Sequence, residues 1–286
     1  MNHFRGPRPP PFRDSDNPMT LSGEPVDEPT VTETEPEFFY PELFDVFKVR
    51  YLLQWKIVAA GLPAEIVDLI LEAAEYWPSV ETRMDTPRFI RQDRDQILLE
   101  TVPLCHDEKI LEDASPKILP HRTIHPCRKI IFTIKSHDQG WGGGPRGDTP
   151  FHGSYTWFDT EVIHTASRHD SDETGGQQGA EATREGETSH QNSHYLPGPD
   201  RIQANKTAVP ETQTYHIVWH YLDNIDSRSA EAMEIEHLSS RGRDTLDGRV
   251  VRTLEVGDSI AVWGRARFPG WSNHVEYMSV RVFWAV

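Results

Sequence analysis

Two cysteines in 286 residues are too few for the disulfide framework that staples small secreted domains. Long apolar runs are missing as well. No stretch approaches the roughly 18 to 20 residues that a membrane-crossing helix needs, and the N-terminus has no apolar core of a signal peptide. Basic residues are scarce, with 29 Lys and Arg against 45 Asp and Glu and a formal net charge of −16. Without a Lys/Arg cluster such a chain is a poor match for a nucleic-acid backbone. Together these absences predict a soluble protein of the cytoplasm or nucleus that binds neither nucleic acid nor membrane.

The acidity is unevenly spread. Residues 1–41 hold nine of the 22 prolines and eight acids against three arginines. That gives too little apolar surface to offset the entropy of ordering, so the segment reads as a disordered tail. Residues 166–200, "ASRHDSDETGGQQGAEATREGETSHQNSHYLPGPD", carry seven acids, two arginines and almost no large apolar side chain. A polar run of this length between strand-like segments reads as a disordered insertion. Each segment nets −5, so −10 of the −16 belongs to them.

Between these segments the pattern becomes helical. In "PELFDVFKVRYLLQWKIVAAGLPAEIVDLILEAAEYW" apolar residues recur at helical spacing, with Gly61 and Pro63 separating two helices. The spacing predicts a helical hairpin over 42–80. Its second helix groups Ile66, Leu69, Ile70, Ala73 and Trp77 into one apolar stripe, which a hairpin this small must bury against something else.

Residues 81–128 are weakly patterned, suggesting an extended segment or edge strand. The period then turns to two in "KIIFTIKSH", "HGSYTWFD", "QTYHIVWHY", "RVVRTLEV", "SIAVWGRARF" and "HVEYMSVRVFWAV". A surface helix is expected over 227–240, between a Ser start and a Gly stop. This series predicts a mainly β chain, an antiparallel β-sandwich of jelly-roll type over 81–286, with the hairpin at its N-terminal side.

Several motifs dissolve on inspection. Ser136, His137 and Asp138 are consecutive strand residues whose side chains alternate between faces, so they cannot form a hydrolase relay. The triple glycine of "GWGGG" has no Lys-Ser/Thr after it and no helix to present its amides to a phosphate. "GDTPFHGS" resembles an ankyrin signature, but occurs once and without the repeat. His121, His125 and Cys127 could ligate a metal, yet no second ligand pair at zinc spacing follows, so neither metal nor cofactor is predicted.

What remains is a recurrence. Gly140-Trp141 and Gly270-Trp271 each follow a strand directly, and a tryptophan in a loop either packs beneath the sandwich or lines a binding site. Were the two loops neighbours, Trp141 and Trp271 would offer stacking surfaces, His137, Asp138 and Asn273 directional hydrogen bonds, and Arg265 and Arg267 a charge, for a protein or carbohydrate ligand.

"KIIFTIKSHDQGWGGG", "GSYTWFD", "VRTLEVGDSIAVWGRARFPGW" and "VRVFWAV" together resemble a family of uncharacterised fungal proteins, some labelled ankyrin-repeat proteins through attached repeats. The resemblance implies the sandwich and the loop positions of Trp141 and Trp271, but no activity. "LPAEIVDLIL" is similar to the opening of an F-box, in which Leu62, Pro63, Ile66 and Ile70 would be partner-binding residues. The second half of an F-box is missing after Trp77. The expected function is a non-enzymatic recognition protein on a β-sandwich. The alternatives are a ubiquitin-ligase substrate adaptor working through the hairpin, and a hydrolase with dispersed catalytic residues.

Overall fold

The structure, a computed structural model, describes residues 39–107, 117–142, 147–164 and 195–286. Most of the predicted tail and insertion lies outside the described residues. Their inner ends are corrected. Tyr40 and Pro41 belong to the folded unit, where the Tyr40 ring meets Phe283 edge-on at 5.7 Å and lies under the Arg281 guanidinium. Residues 195–200 belong to it too, because Pro199 O accepts the Asp244 N–H at 2.8 Å and Gly198 O accepts the Arg201 guanidinium at 2.6 Å.

Helices α1 (Leu43–Trp55) and α2 (Ala64–Ala73) form the expected hairpin. Where the sequence suggests an extended segment or edge strand over 81–128, three strands lie near its start: β1 (Ser79–Arg83), whose first two residues fall in the span expected for the hairpin, β2 (Arg88–Arg91) and β3 (Gln96–Glu100). Then come β4 (Cys127–His137), β5 (Thr156–Ile163), β6 (Gln203–Ala204), β7 (Gln213–His220), α3 (Ala230–Ser239), α4 (Arg249–Thr253), β8 (Ser259–Ala266) and β9 (Ser272–Trp284).

The strands make two antiparallel sheets, β1-β9-β4-β7 with β2 also paired to β9, and β3-β8-β5-β6. Setting β2 aside, the sheets run first-eighth-third-sixth and second-seventh-fourth-fifth in chain order. This is the double Greek key of a jelly roll.

Alternation explains how the sheets face each other. Ile130, Phe132 and Ile134 of β4 point inward, as do Tyr215, Ile217 and Trp219 of β7, and all are buried. They meet Val262 and Ala266 of β8 and Met278 and Val280 of β9 in one core. Phe132 and Trp219 pack edge-on at 4.7 Å. Cys105 and Cys127 are free and buried, and burial pushes both thiols up to about 12. Burial of this kind disfavours the nucleophilic thiolate.

Ser229 caps α3 by accepting the Ala232 N–H at 3.1 Å, as a Ser start implies. Residues 249–253 depart from expectation, since "RVVRTLEV" reads as a strand but opens with the helix α4. One helical turn there buries Val251 and brings the Arg252 guanidinium onto the carbonyls of Tyr221, Asp223 and Asp247 at 2.6 to 3.0 Å. Three carbonyls that end other segments thereby gain a charged donor, which outweighs the β-propensity of two valines.

Candidate functional site

The two Gly-Trp loops converge, and the strand register is the cause. In the β4-β9 ladder His137 stands opposite His274, so the chain leaving β4 and the chain entering β9 lie at one end of the sandwich. Two devices then fix the first loop. The buried Asp138 carboxylate accepts the backbone N–H groups of Gly140 at 2.8 Å, Ala208 at 2.5 Å and Val209 at 3.2 Å. Gly140 adopts φ +76°, and a Cβ there would come within 2.6 Å of Pro210 Cβ, so only glycine fits. Burial pushes the Asp138 carboxyl above its ordinary value, even though the three N–H donors pull the other way.

Held in this way, Trp141 remains 67% exposed. Its ring lies against Gly270, and Gln139 donates from Nε2 to the Trp141 carbonyl at 2.7 Å. Gln139 Oε1 is buried without a partner. Opposite, Trp271 is half-buried and meets Tyr155 at 5.2 Å with the rings perpendicular, at 89°. Tyr155 in turn meets Phe268 at 4.5 Å.

Between Trp141 and this aromatic wall opens a groove of about 660 Å³. Tyr155, Pro150 and Pro269 extend its apolar lining, and Asp148, His152 and Gln139 supply polar groups. Neither indole N–H, nor the Tyr155 hydroxyl, has a hydrogen-bond partner among the described residues.

Of the seven residues expected to bind ligand, the groove contains Trp141 and Trp271. The other five lie outside its described lining. Asp138 is a buried loop clamp. His137 lies on the outer face of the five-stranded sheet, stacked on His274 with centroids 4.5 Å apart, and its Nδ1 lies 2.6 Å from the Asp138 carbonyl. Asn273 is fully buried, accepts from Asn205 at 2.9 Å and donates to the Trp157 and Arg265 carbonyls.

Arg265 and Arg267 are also buried, contrary to the alternation that places them on an outer face. The chain between β2 and β3 folds over them. Arg265 donates to Asp159 at 2.9 Å and to Asp95 at 2.6 Å, and Arg267 donates to both Asp95 oxygens at 2.5 and 2.7 Å. Burial alone would raise the Asp95 carboxyl, but hydrogen bonds from Arg267 and Arg265 and their charges overcome it and hold the group below its ordinary value. Two arginines committed to carboxylates are structural.

Sequence reasoning missed Tyr155, Asp148, Pro150 and His152. All four lie in "GDTPFHGSY", where a likeness to an ankyrin signature drew attention away from a turn dense in Gly, Pro and aromatics. Ser136 points inward and donates to Asn205 Oδ1 at 2.7 Å, away from His137. His121 and His125 are exposed while Cys127 is buried. Among the described residues no group of three or more His, Cys, Asp or Glu could hold a metal ion.

A second surface lies on the hairpin, and its polarity is inverted. Asp68, Glu72 and Glu75 turn toward the sandwich, pairing with Arg122 at 2.6 Å, Arg128 at 2.7 Å and Lys129 at 2.7 Å, while Asp68 also takes Arg50 at 2.5 Å. The Lys129 ammonium holds Glu75 below the usual carboxylate range. Val46, Val67 and Leu71 close the hairpin interior against Val286.

The predicted stripe of Ile66, Leu69, Ile70 and Ala73 therefore faces outward, Leu69 being 65% exposed, and only Trp77 beyond the helix is buried. On α1, Phe44, Tyr51 and Trp55 are exposed as well, at 74%, 53% and 60%. Of the four residues expected to meet a partner, Ile66 and Ile70 are exposed. Pro63 is the exposed cap of α2, and Leu62 packs into the hairpin interior.

Comparisons with family models, with curated proteins and with solved structures find no match for this chain. No helix among the described residues is long and apolar enough to cross a membrane.

Proposed function

We propose that this chain is a non-enzymatic recognition protein that takes its ligand in the groove between the Gly-Trp loops. The observation that carries the reading is Trp141, held exposed against Gly270 by a buried aspartate clamp and a glycine that nothing else can replace. A large apolar ring fixed in solvent at a rigid sheet end is a costly arrangement unless something covers it. Peptide and glycan arrays probed with the full chain and with Trp141→Ala test this. Ligands lost only by the variant support it, and identical profiles contradict it.

A second reading adds to the first. The inverted hairpin favours an adaptor, with the apolar stripe of α2 and the aromatics of α1 docking a protein partner while the sandwich holds its ligand. With the F-box-like opening at Leu62 and Pro63, that partner would belong to a ubiquitin ligase. Capture of ligase subunits by the full chain, abolished by Leu69→Asp with the fold intact, is the expected result. Equal capture by the variant overturns the adaptor reading.

A further inference from the structure

Resting on the groove reading, we infer that the ligand is a proline-rich peptide segment carrying a basic residue. The groove offers its ligand two kinds of group. Trp141 Nε1, Trp271 Nε1 and the Tyr155 hydroxyl are donors with no partner among the described residues. Trp271 and Tyr155 also stand perpendicular at 5.2 Å, a corner of two ring faces beside Pro269.

A polyproline II segment matches both. Its prolines lack N–H groups, and its carbonyls are not used internally, so its backbone presents acceptors to a wall of donors. Its pyrrolidine rings are flat, apolar and already ordered, which suits aromatic corners and lowers the entropy lost on binding. The charge pattern supplies the basic residue. Among the described residues Asp148 is the one formal charge that lines the groove, and neither Lys nor Arg does. The Asp148 side chain is 70% exposed, and its contact with His237 at 3.0 Å becomes an ion pair only when the imidazole is protonated. A phosphorylated or acidic ligand would find no Lys or Arg among the described lining residues.

The test is fluorescence anisotropy of the full chain with three labelled peptides: an arginine-flanked pentaproline, the same peptide with alanine in place of each proline, and the same with glutamate in place of arginine. A glycan array runs beside it. The account expects saturable binding of the first peptide alone. Trp271→Ala should weaken it by about 30-fold, as an anchor of hot-spot strength does, and Asp148→Asn by several-fold, with circular dichroism confirming that both variants fold. Equal binding of proline and alanine peptides, or no binding of either, overturns the inference. If a glycan or another peptide then binds in a Trp141-dependent way, the groove reading stands without it. If nothing depends on Trp141 or Trp271, both fall.

Discussion

The ring of Trp141 rests on the backbone of Gly270, so closely that a Cβ at Gly270 would lie 3.1 Å from ring atom Cη2. The contact joins the loop after β4 to the loop before β9 and sets one wall of the groove. Gly270 is also at φ +88°. Gly270→Ala should therefore combine a left-handed backbone penalty of about 1–2 kcal/mol with displacement of the indole. The expected outcome is a drop of several degrees in Tm, together with weakened ligand binding.

Asp138 holds the same loop from below. Asp138→Asn leaves an amide N–H facing backbone donors, so at least one of the three hydrogen bonds is lost. A cost of about 1–3 kcal/mol is expected. Quenching by acrylamide should then report greater mobility at Trp141, which the wild-type clamp restrains.

Asp95 serves two buried arginines. Asp95→Ala removes a shared carboxylate from two buried guanidinium groups, leaving Asp159 on Arg265 at 2.9 Å and Asp93 on Arg267 at 3.6 Å, and should cost about 3–5 kcal/mol in urea denaturation. Loss of less than about 1 kcal/mol would show that the ion pairs are not part of the folded core.

The same aspartate fixes a sign for pH. Its folded-state value lies below the ordinary 3.8, so it stabilises the fold above the unfolded value, and that stability is lost as pH falls through the folded one. His274 is also lowered from 6.5, first by burial and then by the charge of His137. The fold favours its neutral form, so stability begins to fall once pH drops below 6.5. Tm should decline in two stages on acidification, and Asp95→Asn should remove part of the lower one, which Glu75, also held low, shares.

Much of the fold is legible in the sequence, because a half-buried strand writes itself as alternation, and five of the six predicted strand segments contain a strand. The failures have physical causes. Arg265 alternates to an outer face by its strand period, but the turn bearing Asp95 returns from a distant part of the chain to cover it. Helix α2 carries apolar residues on two sides, and periodicity alone does not say whether Ile66 and Ile70 or Val67 and Leu71 face the sandwich. The decision rests with Asp68 and Glu72, whose partners Arg122 and Arg128 lie more than fifty residues away. Convergence of the Gly-Trp loops is a matter of strand register, which no local pattern encodes.

The inverted hairpin separates two isoleucine-valine neighbours. Ile70→Asp, on the exposed face, should change stability by no more than about 0.5 kcal/mol. Val67→Asp places an unpaired carboxylate inside the hairpin and should cost several kcal/mol. Comparable losses for both would mean that the outward stripe is covered in the folded chain.

The central claim is that the groove bearing Trp141 and Trp271 is where this protein meets its ligand. The most direct measurement is a peptide and glycan array read with the full chain and with the Trp141→Ala, Trp271→Ala double variant, both verified as folded by thermal melting. The account predicts a set of ligands held by the wild type and lost by the double variant. Identical profiles from two folded proteins would contradict it.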